Sequence, residues 1–202
     1  MRDRTRPGLL VVLSGPSGVG KDVAIGRLKG DGFGISYVVT ATTRQKREGE
    51  TDGVDYYFLT REEFEETVAR DGFLEWSWVH GNMYGPPIAQ VRQRLAEGQD
   101  MLLKIDVQGA AKVRQRVRDA VFIFLAPPSI EGLVDRLRGR RTENEAQIEL
   151  RVANAYQEME AVGAYDYVVV NRDGQLDRAV ADIRAIITAE RLRVHPRRPE
   201  IL

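Results

Sequence analysis

The chain has no cysteine and only two histidines, His80 and His195. Disulfides, thiolate nucleophiles and Cys/His zinc sites are therefore excluded. A serine hydrolase triad would have to draw on one of two widely separated histidines, neither near a nucleophile-elbow pattern. Net charge is lacking too. Thirty basic residues balance 30 acidic ones, so no global field holds nucleic acid or an anionic membrane, and any phosphate must be handled locally. Lysine is scarce, 5 residues against 25 arginines, an imbalance that favours planar, forked donors for phosphate and carboxylate oxygens. The amino terminus, MRDRTRPG, leads straight into a short apolar strand, with no long hydrophobic segment or cleavage-like pattern. That argues against secretion and membrane spanning and predicts a cytoplasmic protein with neither nucleic acid nor membrane as partner.

What is present is an alternation of strand and helix signals over 202 residues, enough for one main domain with small insertions. Leu9–Leu13 is an apolar run that enters a glycine loop and then the helix-compatible VAIGRLK. Ile35–Thr40 reads as a second strand and Asp55–Leu59 as a short one. Thr60 and Glu63 have capping-box spacing ahead of a helix that reaches about Arg70 and stops at Gly72. FLEWSWVHGNMYG predicts antiparallel strands with a turn at Gly81 and Asn82, and IAQVRQRLAEG a helix closed by Gly98. Met101–Ile105 and Val121–Leu125 are strands separated by the helical VQGAAKVRQRV. One helix follows to about Arg138 and another from Glu143 to about Val162, the latter opened by Thr142 and Glu145 at capping-box spacing. Tyr167–Val170 and a long amphipathic helix close the pattern, and HPRRPEIL reads as an unstructured tail. These elements predict an α/β fold with a parallel sheet covered by helices on both faces. The polar stretches 40–89 and 136–158 interrupt it as a substrate-binding insertion and a lid. Core segments over 1–39, 90–135 and 159–195 surround them, with the tail over 196–202.

The loop GPSGVGKD comprises Gly15, Pro16, Ser17, Gly18, Val19, Gly20, Lys21 and Asp22. Its glycines let backbone amides approach a bound anion, and Lys21 can reach the β and γ oxygens of a nucleotide. Asp22 stands where serine or threonine would offer a magnesium ligand. It can bind the ion directly, bind it through water, or cap the following helix. The stretch TTRQKREGE reads as a second anion site, for a phosphorylated acceptor, with Arg44, Arg47 and Tyr56 able to surround one phosphate. Asp106 ends an apolar strand, where it can face a nucleotide and magnesium or cap the next helix.

Taken in order, GPSGVGK, TATTRQKREGE with Gly53 and DYYF, FLEWSWVHGNMYG, KIDVQGA, FIFLAPPS, RLRGRRTE and DYVVVN resemble the guanylate kinase family from Gly8 to about Arg193. The resemblance implies a phosphate-loop nucleoside monophosphate kinase fold, with a small mixed-sheet GMP-binding insertion and a helical lid. It implies transfer of the terminal phosphoryl group of ATP to GMP, with dGMP as a further acceptor and Mg2+ as cofactor, in purine nucleotide metabolism. By resemblance, Arg44, Arg47, Tyr56 and Tyr84 bind the GMP phosphate, Thr40 faces the acceptor, and Glu75 and Asp106 select guanine. Asp22 and Asp106 are the implied metal residues, directly or through water. Arg136, Arg140 and Arg151 are the implied lid arginines at the transferring phosphates, and Asn171 belongs to the adenine pocket. Three positions depart from the family pattern: Lys104 stands where an acid is common, Pro86 where a guanine-contacting hydroxyl follows the YG pair, and Arg141 where glycine is usual. A kinase for another monophosphate, or a non-catalytic interaction module on this fold, are the competing readings. Amphipathic helices are compatible with a monomer or a homodimer.

Overall fold

The computed structural model describes residues 7–79, 81–138 and 145–202. β1 (Leu10–Ser14) is buried at every position and runs into the glycine loop and α1 (Lys21–Gly30). Of the strand expected over Ile35–Thr40 only two residues form one, and a second short strand begins just beyond it. β2 (Ser36–Tyr37) stays in the core while β3 (Ala41–Thr42) joins a second sheet, because the chain leaves the core between them. β4 (Tyr57–Phe58) precedes α2 (Arg61–Ala69), whose start is closed as its spacing predicts. Thr60 Oγ1 accepts from the Glu63 amide at 3.2 Å, and Glu63 carboxylate accepts from the Thr60 amide at 2.7 Å, a box that contributes about 1 kcal/mol. The helix ends about where expected, with Asp71 in the left-handed backbone, φ 54°, and the Gly72 amide donating to Thr67 O at 2.8 Å. The Arg116 guanidinium forks over its carboxylate at 2.9 and 2.6 Å.

β5 (Ser77–Val79) and β6 (Asn82–Gly85) form the expected hairpin. α3 (Ile88–Ala96) buries Ile88, Val91 and Leu95 along one face, each worth roughly 1.5–3 kcal/mol of apolar transfer. Then come β7 (Met101–Lys104), α4 (Val107–Arg116), a short β8 (Val117–Arg118) and the fully buried β9 (Val121–Ala126). α5 (Ile130–Arg138) and α6 (Glu145–Glu160) follow, the latter running into a 3-10 helix over Ala161–Ala164. The cap expected at Thr142 lies outside the described residues. β10 (Tyr167–Val170), α7 (Leu176–Arg191) and β11 (Glu200–Ile201) complete the chain.

Five strands pair in parallel in the order β10-β9-β1-β7-β2. Alternation along β1 builds both layers. Leu9, Val11 and Leu13 pack with Ala24, Ile25 and Leu28 of α1 and Ile183 and Ile187 of α7, whereas Leu10 and Val12 pack with residues of α3 and α4. β1 lies between β7 and β9, so its carboxyl end opens into the crevice where such sheets hold ligands. The second sheet is mixed, in the order β4-β3-β6-β5, over a small core in which Phe64 and Phe73 stack at 4.3 Å. No helix among the described residues is long and apolar enough to cross a membrane.

The expectation of an unstructured tail is corrected. β11 pairs antiparallel with β8, and the Leu202 amide donates to Arg116 O at 2.8 Å. The cause is tertiary: the guanidinium of Arg197 reaches the carboxylate of Glu190, which is 1 % exposed, at 3.0 and 3.3 Å and also donates to Ala120 O at 3.1 Å. Tyr167 donates to the same carboxylate at 2.6 Å. Burial pushes the Glu190 pKa up, and the hydrogen bonds from Arg197 and Tyr167 outweigh it, leaving the carboxyl below its ordinary value. Pro199 and Ile201 then meet Pro7, Gly8 and Leu95 around a groove of about 240 Å³.

Candidate functional site

The glycine loop begins where β1 ends. Gly15 has φ 141°, and a Cβ there would stand 2.1 Å from Leu125 O. Gly20 has φ 101°, and a Cβ would stand 2.7 Å from the Asn171 side chain. Neither position admits a side chain without moving its neighbours. Asn171, at the end of β10, fastens the loop: its amide N–H donates to Ala126 O at 2.8 Å and its Nδ2 to Val19 O at 2.8 Å. Lys21 arches back over the loop, Nζ donating to Gly15 O at 2.5 Å and Pro16 O at 3.1 Å. Burial lowers its pKa, opposed by the nearby carboxylates of Glu158, Asp22 and Asp106.

Glu158 is a residue that sequence reasoning missed. It lies buried on α6, and its carboxylate accepts from the Ser17 amide at 3.3 Å, so the loop amide already holds an anionic group. Burial pushes the Glu158 carboxyl pKa up. No local pattern marks it, because a glutamate inside a charged helix is ordinary.

The carboxyl end of β7 closes one side of the loop. Leu13 and Lys104 are register partners, which carries the Lys104 ammonium to the Asp22 carboxylate in the first turn of α1, where the two form an ion pair. Two residues on, Asp106 caps α4, its Oδ1 accepting from the Gly109 amide at 2.6 Å.

The second sheet supplies the opposite wall. Arg44 donates to Glu50 Oε1 at 2.6 Å and to Gln45 O at 2.7 Å, and lies 5.4 Å from the Tyr56 ring centre. Tyr56 and Tyr84 meet edge to face at 6.0 Å. The Arg44 hydrogen bond and then the Arg47 amide, which donates at 2.8 Å, hold the Glu50 carboxyl below its ordinary value. Glu50 too was not singled out from sequence, although it belongs to the REGE run. The two threonine hydroxyls beside the arginines secure backbone instead: Thr42 Oγ1 accepts from the Arg44 amide at 3.1 Å and Thr43 Oγ1 from the Met83 amide at 2.9 Å. Arg47 itself stands exposed.

Between the walls lies a cavity of about 190 Å³, lined by Lys21, Lys104 and Asp106 from the main sheet and by Thr40, Tyr56, Glu75, Tyr84 and Pro86 from the other side. Glu75 is 8 % exposed, and one of its carboxylate oxygens is buried without a hydrogen-bond partner, the Lys112 ammonium standing 3.5 Å away. Burial pushes its pKa up. A buried carboxylate set in a cavity wall, its pKa raised by burial, is a candidate recognition group.

Of the arginines expected on a lid, Arg136 is held on the core. Its Nε and Nη2 donate to Asp173 Oδ1 at 2.9 and 2.6 Å, and Nη2 also to Asn171 O at 3.0 Å. Arg151 lies on α6, which packs on α5 through Leu133, Val152 and Ala155. Arg140 and Arg141 lie outside the described residues.

A glycine loop under a lysine stands across one cavity from two tyrosines and a buried carboxylate, with Arg44 beside the Tyr56 ring. That combination defines a phosphate-loop nucleoside monophosphate kinase, built to bring two nucleotides' phosphates together. Residues 7–190 match the guanylate kinase family, and the chain belongs to that family. A guanylate kinase of Carboxydothermus hydrogenoformans is 46 % identical over 186 residues, spanning 92 % of this chain and 90 % of the relative. One from Halalkalibacterium halodurans is 49 % identical over 183 residues, 91 % and 89 % of the two chains. The crystal structure of guanylate kinase from Anaplasma phagocytophilum matches at TM-score 0.71 with 34 % identity, covering 94 % of this chain and 89 % of that one. The chain is accordingly an enzyme that transfers a phosphoryl group from ATP to GMP, yielding ADP and GDP.

Proposed function

We propose how this chain performs the transfer. The donor phosphates lie on the amides of Gly15–Lys21 beneath the Lys21 ammonium, which leaves its loop carbonyls for them. Arg44, Arg47, Tyr56 and Tyr84 bind the acceptor phosphate, Thr40 borders it, and the carboxylate of Glu75, assisted by Asp106, takes the N1–H and exocyclic amine of guanine. The observation that carries this reading is the shared cavity, with Lys21 and Glu75 in the lining of one space. An oxygen of the GMP phosphate attacks the γ phosphorus of ATP in line. The bond from that phosphorus to the β,γ-bridging oxygen breaks, and its electron pair leaves on ADP. Positioning and fixed charge carry the catalysis, with Arg136, Arg140 and Arg151 neutralising the phosphates on lid closure and excluding water. The Asn171 amide is committed to Val19 O, so its service to the adenine side runs through the shape of the loop.

The protein's own donor set fits magnesium poorly. Among the described residues no group of three or more His, Cys, Asp or Glu is placed to hold an ion. Asp22 is matched by Lys104 and one oxygen of Asp106 by an α4 amide.

Because the named determinants contact base and phosphate, dGMP serves as acceptor as well as GMP. One chain supplies both walls, so the reading needs no second copy, and it sets the reaction in the cytoplasm, where both substrates are found. ADP formation measured with GMP, dGMP, AMP and UMP tests it. Turnover with the two guanine nucleotides alone is expected, and equal turnover with AMP or UMP would remove Glu75 from its role.

A further inference from the structure

Position 22 follows the loop lysine, where a serine or threonine hydroxyl would bind magnesium. An aspartate alone would be a harder and stronger oxygen ligand for that ion. Here it is not alone. The parallel register of β1 and β7 delivers the Lys104 ammonium to it, so its charge is already matched by a cation of the protein. A divalent ion brought to the same place meets a repulsion twice that between single charges. The neighbouring acids do not make up the difference, since Asp106 Oδ1 accepts from Gly109 at 2.6 Å and Glu158 Oε2 from Ser17 at 3.3 Å. Lys104 meanwhile lines the cavity together with Lys21, so two ammonium groups serve the space between loop and second sheet.

We infer that Lys104 is a catalytic residue which contacts the transferring phosphates and supplies the positive charge a protein-held magnesium would otherwise provide, with Asp22 positioning it. The inference rests on the transfer reaction proposed above. A lysine is a compact point charge on a flexible stem, suited to phosphate oxygens. In the resting chain Asp22 keeps it at the loop mouth. When ATP binds, the polyphosphate competes for the ammonium. As the bond to the bridging oxygen breaks, the charge gathering on ADP is met by Lys21 and Lys104 without a metal bound to the protein.

GMP-dependent ADP formation by the full chain in magnesium buffer tests the kinase reading alone, and its failure would count against that reading only. Repeating the assay with metal-stripped ATP in excess EDTA tests the inference. The wild type is expected to keep kcat within about tenfold of its magnesium value, one decade of rate, and a larger loss overturns the proposal. Lys104→Gln is expected to lower kcat in EDTA by about 10²–10³-fold, the usual result of removing one transition-state donor. A variant equal to the wild type in EDTA overturns it. The double change Asp22→Thr with Lys104→Glu leaves a hydroxyl and a carboxylate as oxygen ligands and is expected to make turnover magnesium-dependent; undiminished turnover in EDTA overturns the idea. Calorimetric titration of metal-free ATP gives a readout apart from activity: the wild type binds, and Lys104→Gln binds more weakly. Thermal melting checks that the variants fold. Should they not, the wild-type assay in EDTA and its titration decide the matter.

Discussion

The two walls of the cavity are made of different materials. On the loop side the proposed anion site is backbone, with amides set by glycines, anchored in a buried strand and fastened by Asn171. On the other side the proposed site is side chain: a guanidinium and two phenols held in or beside strands of two to four residues and aligned by Glu50 and by aromatic contact. A backbone site is indifferent to most substitutions and pH but fails outright when its conformation is denied. A side-chain site degrades group by group and follows the ionisation of its partners.

The largest effect should therefore come from Gly15→Ala. Its Cβ would stand 2.1 Å from the Leu125 carbonyl oxygen, so the loop or β9 must move. We expect ATP binding to disappear in calorimetry and stability to fall by more than about 4 kcal/mol in urea. Survival of ATP binding would break the contrast. Arg44→Ala should leave ATP binding intact and lower kcat/KM for GMP by about 10²–10³-fold, while an equal loss of ATP affinity would mean that the walls are not separable.

Glu75→Gln should reduce kcat/KM for GMP by about 10- to 100-fold, the worth of a hydrogen bond to a charged acceptor, and at the same time raise the melting temperature. The sign follows from its pKa, raised by burial. The folded chain holds that proton to higher pH than the unfolded one, so the wild type loses stability relative to the variant as pH rises from the ordinary value of 4.5 to the raised one. Melting curves across this window check it. The smallest effect belongs to Glu50→Gln. Its carboxyl is held low by Arg44, so the pair's contribution is present above the ordinary value of 4.5 and lost as pH falls through the lowered one. A small melting deficit of the variant at neutral pH should vanish in acid.

Much of the fold was readable because its signals are local. The glycine loop, the Thr60–Glu63 box and the periodicity of α3 each lie within a dozen residues of sequence, and the alternating strands and helices sum to the parallel sheet. Apart from Glu50, whose partners are local, what escaped depends on contacts far along the chain. Glu158 stands 141 positions from the Ser17 amide it accepts from, and Asn171 152 positions from Val19. Arg136 reads as a lid arginine, yet Asp173 and the Asn171 carbonyl engage it. The tail was misread for the same reason, since HPRRPEIL has the composition of a loose end until Glu190 and β8 are beside it. On the candidate site, residue types suggested which groups belong to which wall, whereas the Lys104–Asp22 pair required the register of two strands.

Pro7 and Gly8 border the same groove as Pro199 and Ile201, which makes neighbours of the two extremes of the described fold. A short linker across that groove would close the backbone into a ring without unpairing β11 from β8. New ends opened at the exposed turn around Gly32 would then give a circularly permuted kinase with the strand order β10-β9-β1-β7-β2 unchanged. Connectivity along the polypeptide is in this sense negotiable, and the spatial order of the sheet is what the two walls depend on.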